Sequence, residues 1–151
     1  MTTASPFETL LWHDVHVGDE LPTLVIDVTA TVVVAGALAT RDFMPVHHDR
    51  AYANSQGAPE IFMNILTDNA YCSRFLTDWA GPEAMITKLS IRLGVPSFAG
   101  STLTYTGRVT GTTRNAADAT GTVEVELRAS NNLGDHVSGT AILRLPLTTT
   151  A

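Results

Sequence analysis

One short segment of the chain combines residue types that can move protons: residues 41–49, with the sequence Arg-Asp-Phe-Met-Pro-Val-His-His-Asp. Asp42 and His47 stand five residues apart around Pro45. A loop of this kind can aim both side chains at one point, and a carboxylate with an imidazole is a natural pair for holding and activating water. The segment therefore predicts a general acid–base site with Asp42 and His47 as its catalytic groups.

The side chains of the same segment also have purely structural interpretations. Asp42 by itself is typical of a carboxylate at a helix end or turn. His48 is expected at the surface, because neighbouring side chains of extended backbone point apart. A metal site formed by His47, His48 and Asp49 is not expected, since consecutive ligands rarely converge and no Cys/His cluster completes the set.

Hydrophobic periodicity predicts a long helix over residues 60–80, with Pro59 suited to its first turn and Gly81-Pro82 ending it. Its apolar stripe has members at spacings of three, four and seven: Ile61, Ile65, Cys72, Leu76 and Trp79. Earlier in the chain, residues 17–28 are typical of a turn followed by a strand. Residues 32–40 form a continuous apolar run without a readable period, and we favour a short helix there because it leads directly into the Asp42 loop.

After Gly81-Pro82 the pattern changes to alternation with a period of two. Four consecutive segments of about ten residues each alternate apolar and polar side chains and are separated by Gly, Asn or Pro turns. Such a pattern predicts an antiparallel meander with one wet face. One long helix followed by these strands indicates an α+β domain, with the helix wrapped by a curved antiparallel sheet.

Length and composition bound the remaining possibilities. The 151 residues suit a single domain over 1–151, with its core about 17–147. The net charge is −6 and Lys88 is the only lysine, so nucleic acid and anionic membrane surfaces are poor candidates as partners. No apolar run is long enough to span a membrane. The single cysteine, Cys72, fits a reducing cytoplasm.

The pattern Asp-x-x-Pro-Val-His at residues 42–47 resembles the signature of the MaoC-like (R)-specific enoyl-CoA hydratases. The opening at residues 17–22 and the loop at residues 96–103 are also similar to that family. Further stretches resemble one narrower group, the small subunits of heteromeric hydratases from actinobacterial steroid side-chain degradation. These stretches are residues 39–43, 46–50, 61–68, 77–82, 92–96 and 132–137.

This resemblance implies a hot-dog fold and hydration of a 2-enoyl-CoA whose acyl group is a steroid with a shortened side chain. It implies that Asp42 and His47 are the catalytic pair and that no cofactor is needed, since CoA is part of the substrate. It also implies a larger MaoC-like partner subunit, a heterotetramer, and a downstream aldolase. The CoA phosphates would need a local basic cluster drawn from Arg41, Arg50, Arg74, Lys88 and Arg92.

The chain departs from the wider family at three places. Arg41 replaces the usual Gly before the aspartate, and Met44 replaces an Asn in the loop. At the predicted start of the long helix, Met63-Asn64 replaces a common His-Gly pair. The resemblance implies substrate binding there, and the backbone N–H of Asn64 can take the place of the glycine N–H that meets the thioester oxygen. Met63 and Asn64 are therefore the predicted substrate-binding residues.

Two other functions remain open on the sequence. Some hot-dog thioesterases use a carboxylate on the central helix, and Asp68 lies on the predicted helix. We favour a plainer role for Asp68, on a polar helix face that meets solvent or a partner. The second of these other functions is that of a non-catalytic hot-dog subunit, which shapes the site of another chain.

Overall fold

The computed structural model describes residues 8–115, 117 and 119–148, and their elements form one α+β unit. Two short 3-10 turns lie at Trp12–Asp14 and Pro45–His47. The regular elements in chain order are β1 (Leu24–Val28), α1 (Ala30–Ala39), α2 (Arg50–Ser55), α3 (Ile65–Ala80), β2 (Met85–Leu93), β3 (Ser101–Arg114), β4 (Thr120–Asn131) and β5 (Gly134–Pro146). The predicted short helix before the Asp42 loop is present as α1, and the strand within residues 17–28 is β1.

The five strands form one antiparallel sheet in the order β1-β3-β4-β5-β2. The last three strands are the predicted meander. The expectation that all four late segments pair in succession is wrong, because β2 pairs with β5 at one edge of the sheet and not with β3. This arrangement leaves β3 free to pair with β1 on its other side. Long-range pairing of this kind cannot be read from the alternation of a single strand.

Alternation along β4 gives the sheet one buried face, called the dry face because it is closed to solvent. Val123, Val125, Leu127 and Ala129 are buried, while the residues between them are partly or fully exposed. In β2 the alternation is interrupted, because a bulge between Ile86 and Lys88 leaves Thr87 as an extra residue. Thr87 is therefore exposed and Ile86 takes the inward position instead.

Helix α3 packs against the dry face, with the Phe75 and Tyr105 rings 6.0 Å apart between centroids. It begins at Ile65 and not at residue 60, because the backbone around Phe62 bridges to Phe98 in extended form. Asn64 caps the helix by accepting a hydrogen bond from the Thr67 N–H at 2.9 Å. The helix ends at Ala80, as predicted, before Gly81 at φ 91°.

The first turn of α3 differs from the predicted apolar stripe. Ile65 and Leu66 are about half exposed, whereas Cys72, Leu76 and Trp79 are buried as expected. The exposed pair lies at the end of α3 that meets α1 and the Asp42 loop. Apolar side chains thus surround the predicted catalytic segment without being part of the core.

Helix α1 crosses α3 at Gly36, where the two helices approach closely. A Cβ atom added at Gly36 would lie 2.4 Å from Oγ1 and 2.8 Å from Cγ2 of Thr67. Thr67 is buried, and its hydroxyl has no hydrogen-bond partner in the described structure. The absence of a side chain at residue 36 is what lets the loop after α1 reach the start of α3.

We expect Gly36→Ala to destabilise the fold by about 1–3 kcal/mol, as overpacking of a tight contact does. Thr67→Ala should cost little because its hydroxyl makes no hydrogen bond, and adding it to Gly36→Ala should restore most of the lost stability. Chemical denaturation of the four proteins measures the coupling. Additive costs in the double variant would show that the Gly36–Thr67 contact is not the cause.

Candidate active site

The end of α1 turns sharply to present Asp42. The Thr40 hydroxyl donates to the Gly36 carbonyl at 2.8 Å, and the Asp42 N–H donates to the Ala37 carbonyl at 2.9 Å. Between them, Arg41 has φ 58°, in the left-handed region that favours glycine. In the family that this segment resembles, glycine is usual at this position, and the left-handed backbone conformation explains why. Arg41 adopts that conformation despite its side chain.

His47 is fixed in one tautomer by the chain segment before α3. It lies at the end of the 3-10 turn that begins with Pro45, and its side chain is buried. Nδ1 is 2.7 Å from the carbonyl oxygen of Phe62, and the Phe62 ring meets the imidazole edge-on at 5.0 Å. Because a carbonyl oxygen only accepts, Nδ1 must carry a proton, which leaves Nε2 of the neutral ring as an acceptor.

Asp42 faces that free nitrogen. Its Oδ2 lies 3.4 Å from Nε2 of His47 and also accepts a hydrogen bond from Nδ2 of Asn64 at 2.9 Å. The hydrogen bond from Asn64 lowers the pKa of Asp42; partial burial opposes this, and the Met44 N–H and the nearby His47 lower the pKa further. The carboxylate therefore stays ionised at neutral pH, with 29% of its side chain exposed.

The two groups together can hold one water molecule. An ionised carboxylate and an unprotonated imidazole nitrogen are both acceptors, and water has two O–H groups to donate. A water bound in this way directs an oxygen lone pair outward and has a base on either side to take its proton. The site can therefore activate water for addition to an electron-poor carbon.

Asn64 connects the Asp42 loop to α3, and all three hydrogen-bonding positions of its side-chain amide are used. Nδ2 donates to Thr40 Oγ1 and to Asp42 Oδ2, both at 2.9 Å, while Oδ1 caps the Thr67 N–H. The sequence predicted Asn64 as a backbone donor, and the contact of its side chain with Asp42 was missed. Thr40 and the Phe62 carbonyl were missed as well, since neither residue carries a signal in the sequence.

Not every predicted site residue reaches this location. The Met63 side chain is buried in the hydrophobic core and its N–H donates to the Ser97 carbonyl, and no hydrogen bond joins it to Asp42 or His47 among the described residues. Two predicted phosphate-binding residues are in ion pairs, Arg50 with Glu60 at 2.8 Å and Arg74 with Asp78 at 3.1 Å. His48 is exposed, as expected.

Asp68 lies where the sequence did not place it. Its side chain is 0% exposed and pairs with His136 at 2.9 Å, so it meets neither solvent nor the Asp42 loop. Among the described residues, no three His, Cys, Asp or Glu side chains gather in a way that could hold a metal ion. No helix within those residues is both long and apolar enough to cross a membrane.

Replacing Asn64 with serine tests the link between Asn64 and Asp42. Serine keeps the helix cap but removes the amide donor, so the pKa of Asp42 should rise. A base with a higher pKa becomes protonated at higher pH, and the acid limb of the pH profile of kcat/KM should therefore move upward. An unchanged acid limb in a variant with normal thermal stability would contradict this assignment.

Comparison with known proteins decides the family. No protein-family model matches the chain. The 3-oxo-4,17-pregnadiene-20-carboxyl-CoA hydratase beta subunit of Mycobacterium tuberculosis is 46% identical over 129 residues, which cover 85% of this chain and 95% of the relative. The chain belongs to the MaoC-like hydratase family.

Solved structures show which fold the chain adopts. A chain of the ChsH1-ChsH2 complex from M. tuberculosis matches with 46% identity and a TM-score of 0.79, over 86% of this chain and 98% of that one. The (R)-hydratase of A. caviae involved in PHA biosynthesis matches with a TM-score of 0.77 and 24% identity, over 87% and 98% of the two chains. The predicted hot-dog fold, with one long helix on a curved antiparallel sheet, is confirmed.

Proposed function

We propose that this MaoC-like chain is the catalytic subunit of a heteromeric hydratase that adds water to a steroid 2-enoyl-CoA. The observation that carries the proposal is the convergence of Asp42 Oδ2 and His47 Nε2, 3.4 Å apart, with Asn64 holding the carboxylate. The 46% identity to a hydratase subunit supports the same chemistry.

Hydration of an enoyl thioester needs three events at this site. Water must lose a proton as its oxygen attacks Cβ, Cα must gain a proton, and the enolate oxygen must be stabilised. Asp42 acts as the base because its carboxylate is held ionised, and His47 orients the water through Nε2. The proton that this pair removes from water is the one returned to Cα, so that H and OH add across the double bond with no other proton source. No cofactor enters this scheme, and CoA is present only as part of the substrate.

The start of α3 supplies the stabilisation of the enolate. Helix N-termini present backbone N–H groups without intrahelical partners and carry a partial positive charge. In the first turn of α3, the Thr67 N–H is capped by the Asn64 side chain and the Asp68 N–H bonds the Asn64 carbonyl. The N–H groups that precede them, from Asn64 to Leu66, are the donors we assign to the thioester oxygen.

An apolar groove beside the catalytic loop offers a surface for the acyl group. It has a volume of about 400 Å³ and runs between α1 and α3 from Thr40 to Arg74, past Gly36 and Tyr71. Ala35 and Ala39 on its rim are exposed, so a second subunit must close the groove to exclude water.

Exposed apolar side chains around the site support the proposal that a partner subunit binds there. Large apolar residues cluster on the three segments that meet there, and clusters of this kind mark interaction surfaces. They are Leu38, Phe43, Met44, Ile65 and Leu66. We propose that a larger MaoC-like subunit covers them in a heterotetramer and completes the pocket of a rigid four-ring substrate.

The product follows from this chemistry. Addition of water at Cβ gives a β-hydroxyacyl-CoA, which is the kind of substrate that an aldolase can cleave between Cα and Cβ. A downstream aldolase is therefore part of the proposal. We also place the protein in the cytoplasm, because its single cysteine, Cys72, is a free and buried thiol, as is usual in a reducing compartment.

The thioesterase alternative is weakened by the position of Asp68. A carboxylate that attacks a thioester or activates water must reach the substrate, and Asp68 is fully enclosed and bound to His136. The alternative of a non-catalytic subunit is weakened by the intact geometry of Asp42, His47 and Asn64.

The test is to co-express the chain with its larger hot-dog partner and assay a steroid 2-enoyl-CoA, with mass spectrometry of the product. A mass gain of one water in the complex supports the proposal. Release of free CoA from a saturated thioester, with no hydration, would favour the thioesterase. Hydration of simple straight-chain enoyl-CoAs by the chain alone would refute the heteromeric assignment.

A further inference from the structure

A second pair of ionisable side chains lies within the fold, apart from Asp42 and His47. Asp68 belongs to the first turn of α3, and His136 lies near the start of β5. Nε2 of His136 is 2.9 Å from Asp68 Oδ1, and the two side chains are 2% and 0% exposed. The other carboxylate oxygen, Oδ2, has no hydrogen-bond partner in the described structure.

Hydrogen bonds fix the protonation of the pair. Nδ1 of His136 is 2.6 Å from the Val95 carbonyl, which can only accept, so Nδ1 carries a proton. Nε2 faces a carboxylate and can donate a second proton to it. Burial acts against a charged imidazole, but the hydrogen bond and charge of Asp68, with the Val95 carbonyl, outweigh it and raise the pKa of His136. The two side chains therefore form a buried, hydrogen-bonded imidazole–carboxylate pair, in which the raised pKa of His136 favours the imidazolium form.

The pair is connected to the catalytic site by two routes. On one side, the Asp68 N–H bonds the carbonyl of Asn64, whose side chain holds Asp42. On the other side, His136 holds the segment of residues 94–100 by two hydrogen bonds. Nδ1 of His136 bonds the Val95 carbonyl, and the His136 carbonyl accepts the Gly94 N–H at 2.8 Å.

That segment fixes the backbone which binds His47. Its Ser97 carbonyl accepts the Met63 N–H at 3.0 Å, and its Ala99 N–H donates to the Ile61 carbonyl at 2.9 Å. Phe62 lies between these two anchors, and its carbonyl bonds Nδ1 of His47. Both acceptors of the proposed water, on Asp42 and His47, thus depend on backbone that His136 and Asp68 tie together.

We propose that the Asp68–His136 ion pair is a positioning device, which sets the first turn of α3 and the Phe62 carbonyl in the register that the hydration reaction requires. This inference rests on the proposed function. Stability alone does not account for the pair, because buried ion pairs can often be replaced by apolar residues without loss of stability. A directional link between α3, β5 and the 94–100 segment is what apolar side chains cannot supply.

The experiment compares Asp68→Asn with the double variant Asp68→Leu/His136→Leu, each in complex with the larger subunit. The double variant leaves no uncompensated buried charge, so it should fold even where a single variant does not. We expect kcat to fall about 10–100-fold, as misplaced catalytic groups cause, with KM changed much less. The thermal stability of the double variant should remain within about 5 °C of the wild type.

Cys72→Ala is the matched control, because Cys72 is a fully buried neighbour one turn further along α3. It loosens the same helix face without breaking the ion pair, and its kcat should stay within about twofold of the wild type. If either Asp68 variant that folds keeps wild-type kcat, the positioning role is overturned.

Nitrogen-15 NMR of the histidines gives a readout that does not need activity. In the wild-type chain we expect His136 to show two protonated ring nitrogens and His47 a protonated Nδ1 with Nε2 free. In the Asp68 variants the His47 Nδ1 proton should exchange faster. If the wild-type complex hydrates nothing while this change is seen, the proposed function fails and the positioning link stands. An unchanged His47 signal contradicts the link.

Discussion

Replacing Asp42 with asparagine is expected to lower kcat for hydration about 10³-fold while the heteromeric complex still assembles. Asparagine has nearly the same shape, but its amide cannot take a proton from water at any accessible pH. It also offers one acceptor oxygen where the carboxylate has two, so it cannot accept from both Asn64 and Met44 as Asp42 does. The exchange of one atom therefore removes the base and also one of the two hydrogen bonds that hold it in place.

Asp49→Asn is the matched control for this substitution. Asp49 lies in the same loop and caps α2 by accepting a hydrogen bond from the Tyr52 N–H at 3.0 Å. Asparagine caps helices about as well as aspartate. The control removes one negative charge near the site without touching the catalytic pair, and should keep wild-type turnover. A folded complex with Asp42→Asn that hydrates at more than about a tenth of the wild-type rate would refute the assignment of Asp42 as base.

The second large effect is expected at His47. We expect His47→Gln to lower kcat about 10²-fold, because glutamine can still donate to the Phe62 carbonyl but cannot relay a proton. His48→Gln controls for the loss of a neighbouring imidazole, since His48 is exposed and its Nε2 lies 3.2 Å from the Phe43 carbonyl. Its effect should be less than about threefold.

A double variant distinguishes a shared water from two independent roles. If Asp42 and His47 hold the same water, Asp42→Asn/His47→Gln should be hardly slower than Asp42→Asn, since groups that act as a unit give non-additive losses. Steady-state kinetics of the complex on one enoyl-CoA measures all three variants. Losses that multiply would show that the two residues act on different steps.

The buried Asp68–His136 pair shows why the polar residues of a central helix resist interpretation from sequence. Asp68 follows the half-exposed Ile65 and Leu66, and nothing local distinguishes it from a surface carboxylate. Its partner is 68 residues away on β5. Only the packing of α3 on the sheet brings the two together, and it also removes Asp68 from the residues that can attack a thioester.

Much of the protein was determined by the sequence itself. The spacing of Asp42, Pro45 and His47 predicted a loop that aims both side chains at one point, and Oδ2 of Asp42 does lie 3.4 Å from Nε2 of His47. This was readable because a short local segment specifies its own geometry. The α+β class followed from the change of hydrophobic period after Gly81, since helices and strands bury their side chains with different repeats. The end of α3 at Ala80 followed from Gly81, which has φ 91° in the structure.

Tertiary structure decided the features that depend on distant contacts. The pairing of β2 with β5, the start of α3 at Ile65 and the burial of Met63 all follow from hydrogen bonds or packing between segments far apart in the chain. The same holds for Asn64, whose amide reaches Asp42 across 22 residues. Local sequence encodes backbone preference and periodicity, whereas the partner of a buried polar group is chosen by the fold that satisfies it.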